Sequence, residues 1–187
     1  MSKASGSISQ GNLQVPKWVD SLIANYSRLQ MKRCKNAVEC VDSSSPSLAV
    51  MRRDYGESIV ESFVMVAIFD LSEFVGCREK ITEFQAEQTA QMILGQYYYL
   101  KVTEIMLFFY WLKCGRYGEF YGTVDGQKIL GAFTLFLRDR QDIRRKIERE
   151  RENERLEAEK KNALTFEEWI DIKITIAMYN SEYVMKW

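Results

Sequence analysis

The sequence predicts an all-α protein, a compact helical bundle with a long, highly charged projecting helix and a short C-terminal helix. Three observations carry that prediction. Apolar residues recur at i, i+3, i+4 and i+7 through most of the chain. The two prolines, Pro16 and Pro46, both lie in the first quarter, so long helices run unbroken after them. Glu and Arg then alternate at helical spacing over residues 138–161, where ten basic and eight acidic residues stand together. With hydrophobic residues at 47% and aromatics at 13%, a buried core is available and a disordered chain is excluded.

Taken in order, residues 1–14 are rich in Ser, Gly and Gln and predict a disordered tail. Pro16 opens a helix whose face carries Trp18, Leu22, Tyr26 and Leu29. Val41–Ser47, VDSSSPS, reads as a loop. Residues 56–75 give the clearest helix, with Val60, Phe63, Val64, Ala67, Ile68, Leu71 and Val75 on one face and Gly76 as its stop. A further helix spans 79–94, with Ala86, Ala90, Ile93 and Leu94 inward.

The segment Tyr97–Gly115 is apolar on two faces, one through Val102, Ile105, Met106 and Phe109 and one through Leu107, Phe108 and Trp111. Such a helix is covered from both sides, so it is expected to be central. Glu104 stands on it, where an unpaired carboxylate is costly, and is expected to pair with Arg or Lys, Arg116 among them. Residues 115–122 form a Gly-spaced aromatic turn. Asp125 caps the next helix, whose buried face is Ile129, Leu130, Phe133, Phe136 and Leu137. Past Ile143 and Ile147 the apolar stripe fades, and a solvated helix is expected to leave the body near residue 148. Thr165 and Glu168 form a capping box for a last helix starting at Phe166 and carrying Trp169, Ile170 and Ile176. The alternation of Ile172, Ile174 and Ile176 also fits a strand; helix is the preferred reading. The expected organisation is a tail over 1–14, a helical domain over 15–148 and an extension over 149–187.

Charge narrows the function. Lys and Arg total 26, as do Asp and Glu, but the distribution runs basic, acidic, basic along the chain. A balanced total does not by itself indicate nucleic acid. The chain has no histidine, which removes the commonest general base and metal ligand. The four cysteines, Cys34, Cys40, Cys77 and Cys114, form no CxxC pair; Cys77 and Cys114, in apolar surroundings, read as small buried hydrophobes, and a reducing compartment is expected. The carboxylate pairs Glu57/Glu61 and Glu83/Glu87 lack the histidines of a di-metal bundle. No phosphate loop, dinucleotide fingerprint or nucleophile elbow occurs. No catalytic residue, metal or cofactor is therefore assigned. The longest apolar runs, Ser62–Phe69 and Ile105–Leu112, have eight residues against the ~20 that a spanning helix needs, and a cytoplasmic location is expected.

Two constellations remain. Residues 113–122, KCGRYGEFYG, interleave three glycines with Arg116, Tyr117, Phe120 and Tyr121, groups that stack on planar bases. The GxxG of residues 115–118 matches the backbone clamp of KH domains, without their strand pattern. The other reading is a helix corner whose aromatics pack over the core. Arg138, Arg140, Arg144, Arg145, Lys146 and Arg149 then offer cations along one helix for phosphates. The other reading is a self-paired charged surface.

Residues 97–140, through Thr103–Glu104, the G-R-Y-G-x-F-Y-G turn at 115–122 and Asp125, resemble a family of short uncharacterised helical proteins from bacterial phages and mobile elements. The resemblance implies a genome setting and no activity. The expectation is a non-enzymatic accessory protein that contacts DNA or a DNA-processing partner through Arg116, Tyr117, Phe120, Tyr121, Arg138, Arg144, Arg145 and Arg149. The alternative is a protein-interaction or oligomerisation module that uses residues 138–187, including Tyr183 and Trp187, and binds no nucleic acid.

Overall fold

The computed structural model describes residues 17–163 and 165–184, with side chains to Tyr179. The tail expected over 1–14, Pro16 and Trp187 lie outside the described residues. Among the described residues the chain is all α-helical, with no strand. Helices α1 (Lys17–Ala24), α2 (Tyr26–Arg33), α3 (Ala37–Asp42), α4 (Leu48–Tyr55), α5 (Glu57–Val75), α6 (Glu83–Gln96), α7 (Val102–Lys113), α8 (Gly126–Asn162) and α9 (Phe166–Val184) follow in order. Two compact units divide between Arg145 and Lys146, within α8.

The first unit is built around α5 and α7. Helices α4, α6 and α7 pack on α5, and α2 and α3 pack on α7. Every α7 residue from Val102 to Phe109 is buried, as the doubly apolar pattern predicts. Phe108 stacks on Phe133 of α8 at 3.7 Å between ring centroids, and Phe133 stacks in turn on Tyr97 at 4.2 Å. Burial of such rings contributes about 3–5 kcal/mol each by truncation. Among the described residues no buried side-chain nitrogen or oxygen lacks a hydrogen-bond partner.

Several boundaries differ from expectation for local reasons. The first helix is two, broken at Asn25 (φ −120°, ψ 26°). Val19, Leu22, Tyr26 and Gln30 are buried, and Trp18 is exposed. Val41 belongs to α3, and α4 was absent from the pattern. The amides of Leu48 and Ala49 at the start of α4 donate to the carbonyls of Leu100 and Tyr98, at 2.9 and 2.8 Å. Residues 97–101 therefore serve α4 and do not extend α7, which starts five residues later than the apolar run. Helix α6 starts at Glu83 and not 79, because Thr82 and Gln85 form a capping box. Gly76 closes α5 in the left-handed region (φ 66°), as expected.

Helix α8 is a single element of 37 residues. The Asp125 carboxylate accepts from the Lys128 amide at 2.9 Å at its start. Ile147 is its last buried residue, and Glu148–Asn162 are exposed throughout. Helix α9 begins as the capping box predicts: Thr165 Oγ1 accepts from the Glu168 amide at 3.2 Å and Glu168 Oε2 from the Thr165 amide at 2.8 Å. The alternation over 172–176 is thus helical.

Candidate functional site

The turn at 115–122 is a helix corner. Gly115, Gly118 and Gly122 all hold positive φ, at 72°, 102° and 80°, a region L side chains rarely enter. Tyr117 folds over the core, 6.3 Å from the Phe108 ring and 6.2 Å from Trp111. Its hydroxyl donates to Asp139 Oδ2 at 2.8 Å. Burial, then that hydrogen bond, push its phenol well above the usual tyrosine value.

Arg116 Nε donates to the same carboxylate oxygen at 2.8 Å, and its guanidinium lies 4.2 Å from the Trp111 ring centroid. Arg116 therefore has the local partner that the sequence did not reveal. Asp139, one helix away, was invisible because its separation of 23 residues leaves no periodic signal. Phe120 is half-buried with Lys128 Nζ 5.9 Å over its ring. Tyr121 alone among these aromatics is largely exposed, at 76%, and its hydroxyl donates to Glu119 at 2.7 Å.

Glu104 pairs with an arginine as expected, but with Arg140 and not Arg116. Arg140 Nε reaches Oε1 at 2.6 Å and its terminal nitrogen reaches Oε2 at 3.3 Å, with Glu104 fully buried. Glu104 Oε2 also accepts from the Lys101 amide at 2.9 Å. A forked, charge-assisted pair of this kind fixes α8 against α7.

The basic residues of α8 divide accordingly. Arg145 pairs with Asp142 at 3.2 Å. Arg138 and Arg144 are exposed, and no ion pair is formed by either among the described residues. In the second unit Arg149 is exposed, while Lys146 approaches Glu150 at 3.8 Å and Arg155 approaches Glu152 at 2.8 Å. The sequence-predicted residues thus do not form one constellation. Arg116 and Tyr117 converge on Asp139, whereas Phe120 and Tyr121 carry their own partners.

A second feature was only lightly weighted in the sequence. Phe166, Trp169, Ile172 and Ile176, at steps of three, three and four, run down one face of α9, and all are exposed, Phe166 at 74% and Trp169 at 49%. Phe166 stacks on Trp169 at 6.4 Å, and Lys173 Nζ lies 5.5 Å from the Trp169 ring. Glu167 and Asp171 lie on the other side of the helix, where Ile174 and Met178 are also exposed, and Glu168 borders the stripe one turn before Ile172. The signal was present in the periodicity; what it could not give was that these four residues stand exposed.

Among the described residues no three His, Cys, Asp or Glu side chains gather as metal ligands, and no helix is long and apolar enough to cross a membrane.

No curated protein and no solved structure matches the chain. A family model does match, over residues 80–177, the span that holds α6, α7, α8 and most of α9. The chain belongs to that family, a family of unknown function, DUF6633.

Proposed function

We propose that the protein is a non-enzymatic oligomerisation module whose α9 face pairs with the same face of a second copy. The observation that carries this reading is the apolar stripe of Phe166, Trp169, Ile172 and Ile176, exposed along a helix of 19 residues, roughly 28 Å long. A continuous exposed apolar face signals an interaction surface, whereas single exposed apolar residues elsewhere do not. A second copy supplies a matching apolar helix, and an isologous pair satisfies both faces at once. The acidic residues of α9, Glu167, Glu168 and Asp171, disfavour phosphate backbones and anionic lipid surfaces as occupants. The lack of histidine supports a role without chemistry.

The test is co-expression of two copies carrying different affinity tags. Capture of one by the other, lost in Trp169→Asp/Ile176→Asp, is the expected outcome. Recovery of one tag alone from the native pair would remove the reading.

A second reading, contact with DNA in the cytoplasm of a host to a phage or mobile element, is favoured by exposed Arg138 and Arg144, which form no ion pair among the described residues, and by exposed Tyr121. The resemblance of residues 97–140 supports the setting. It predicts binding of labelled DNA that weakens steeply between low and moderate salt and falls on Arg138→Glu/Arg144→Glu. Absence of binding at low salt would remove it.

A further inference from the structure

Helices α1 and α2, the loop between α3 and α4, and the start of α7 enclose a space that neither surface uses. A cavity of about 420 Å³ opens there. Leu22, Val102 and Met106, all buried, form its apolar wall, and half-buried Leu29 adjoins them. Arg33, Ser43 and Thr103 line it too, and the same three line a neighbouring cavity of about 210 Å³. They therefore stand together at one end. Leu29 and Arg33 are one turn apart on α2, and Met106 and Thr103 about one turn apart on α7. Both rows pass from apolar to polar in that direction.

Among the described residues lining the larger cavity, Arg33 is the sole charged one, and it makes no ion pair. The hydroxyls add a second donor. Thr103 Oγ1 donates to the Cys40 carbonyl at 2.7 Å, so Ser45 Oγ donates to Thr103 at 2.8 Å. Ser43 Oγ accepts from the Ser45 amide at 2.9 Å, and its own proton goes to no acceptor among the described residues. A guanidinium and a hydroxyl thus offer donors without acceptors at the end of an apolar wall. The loop carrying Ser43 is already held in place. Lys101 Nζ donates to the Ser43 carbonyl, and the Val102 amide donates to the Pro46 carbonyl at 3.0 Å. Little ordering is then lost on binding. Glu39 lines the smaller cavity, where its carboxylate accepts from Asn36 Nδ2 at 2.9 Å. Its charge disfavours a doubly charged head group.

We propose that this cleft binds a small amphipathic carboxylate, with its hydrocarbon chain against Leu22, Val102 and Met106 and its head on Arg33 and the Ser43 hydroxyl. At about 30 Å³ for each water-sized group, the space corresponds to roughly a dozen non-hydrogen atoms, a carboxylate with a chain of roughly eight to ten carbons. Burial of the chain removes apolar surface from water, and the guanidinium meets the carboxylate through charge-assisted hydrogen bonds.

The test is equilibrium dialysis of radiolabelled octanoate against the full-length protein, with 1-octanol and octyl phosphate as competitors. One octanoate held per chain, displaced less well by either competitor than by unlabelled octanoate, is the expected result. Arg33→Gln, at an exposed position, should weaken octanoate roughly tenfold. Trp169→Asp/Ile176→Asp should hold octanoate as the native protein does. No retention of octanoate at millimolar concentration, or unchanged retention in Arg33→Gln, would overturn the proposal. Retention lost in the α9 variant would overturn it by placing the ligand on α9. Octyl phosphate displacing octanoate better than octanoate itself would overturn the choice of a singly charged head.

Discussion

Helices α7 and α9 are both apolar on a broad face and contrast in what happens to it. On α7, Val102–Phe109 are buried without exception, and even Glu104 is covered and paired. On α9, Phe166, Trp169, Ile172 and Ile176 are open. Composition alone does not separate them, since both carry Trp, Phe and Ile. The difference lies in neighbours: α7 is enclosed by α2, α3 and α5, together with the Phe133 ring, whereas the described residues of the second unit leave this face of α9 exposed. The same hydrophobic effect that closes the first unit therefore argues for a partner at the second.

This contrast predicts that substitutions around α7 weaken folding and substitutions on α9 do not. The largest effect should come from Glu104→Ala, which leaves Arg140 without its counter-charge in a mostly buried site and costs about 3–5 kcal/mol by urea denaturation. Replacing both partners together with apolar residues should be far milder. If the single change were as mild as the double, the pair would not hold α8 on α7.

Gly126→Ala comes next. A Cβ there would meet Thr89 Oγ1 at 2.3 Å, and that hydroxyl is already held by the Gln85 carbonyl at 2.7 Å. A loss of about 1–3 kcal/mol is expected, largely restored by adding Thr89→Ala. Failure of the second change to rescue would show that the clash is not the cause.

Tyr117→Phe should cost about 1 kcal/mol through the lost bond to Asp139. It also has a pH signature. The folded phenol titrates above its ordinary value of 10.0, so the folded state holds the proton more tightly. That contribution is complete below about pH 10 and is lost as pH rises beyond it. The native protein should lose stability more steeply above pH 10 than the Phe variant. Parallel slopes would mean that the Tyr117 proton is not held by folding.

The smallest effect on folding is expected for Trp169→Ala, within about 0.5 kcal/mol of the native protein by thermal denaturation at a concentration low enough that both are single copies. A loss like that at Glu104 would show that α9 buries this face within its own chain.

The sequence made the all-α class, the long α8 and the capping box that opens α9 legible, because each of those signals is local. Thr165 and Glu168 stand three residues apart, and their bonds form as that spacing requires. The pairing of Glu104 with Arg140, 36 residues away, and of Arg116 with Asp139 depends on how α7 and α8 meet, which periodicity does not encode. The split at Asn25 and the short α4 escaped for a similar reason: α4 is anchored by the Leu100 and Tyr98 carbonyls, about fifty residues downstream. Of the residues read as a nucleic-acid surface, Arg138, Arg144, Arg149 and Tyr121 stand exposed, and Arg116 and Tyr117 hold the corner together.

The central claim, that the open face of α9 pairs with a second copy, is tested most directly by sedimentation velocity over a wide concentration range, on the native protein and on Trp169→Asp/Ile176→Asp. A native species that moves from one copy to two as concentration rises, beside a variant that stays a folded monomer throughout, is the predicted result. A native protein that sediments as a monomer at every concentration, or a variant that associates as the native protein does, would contradict it.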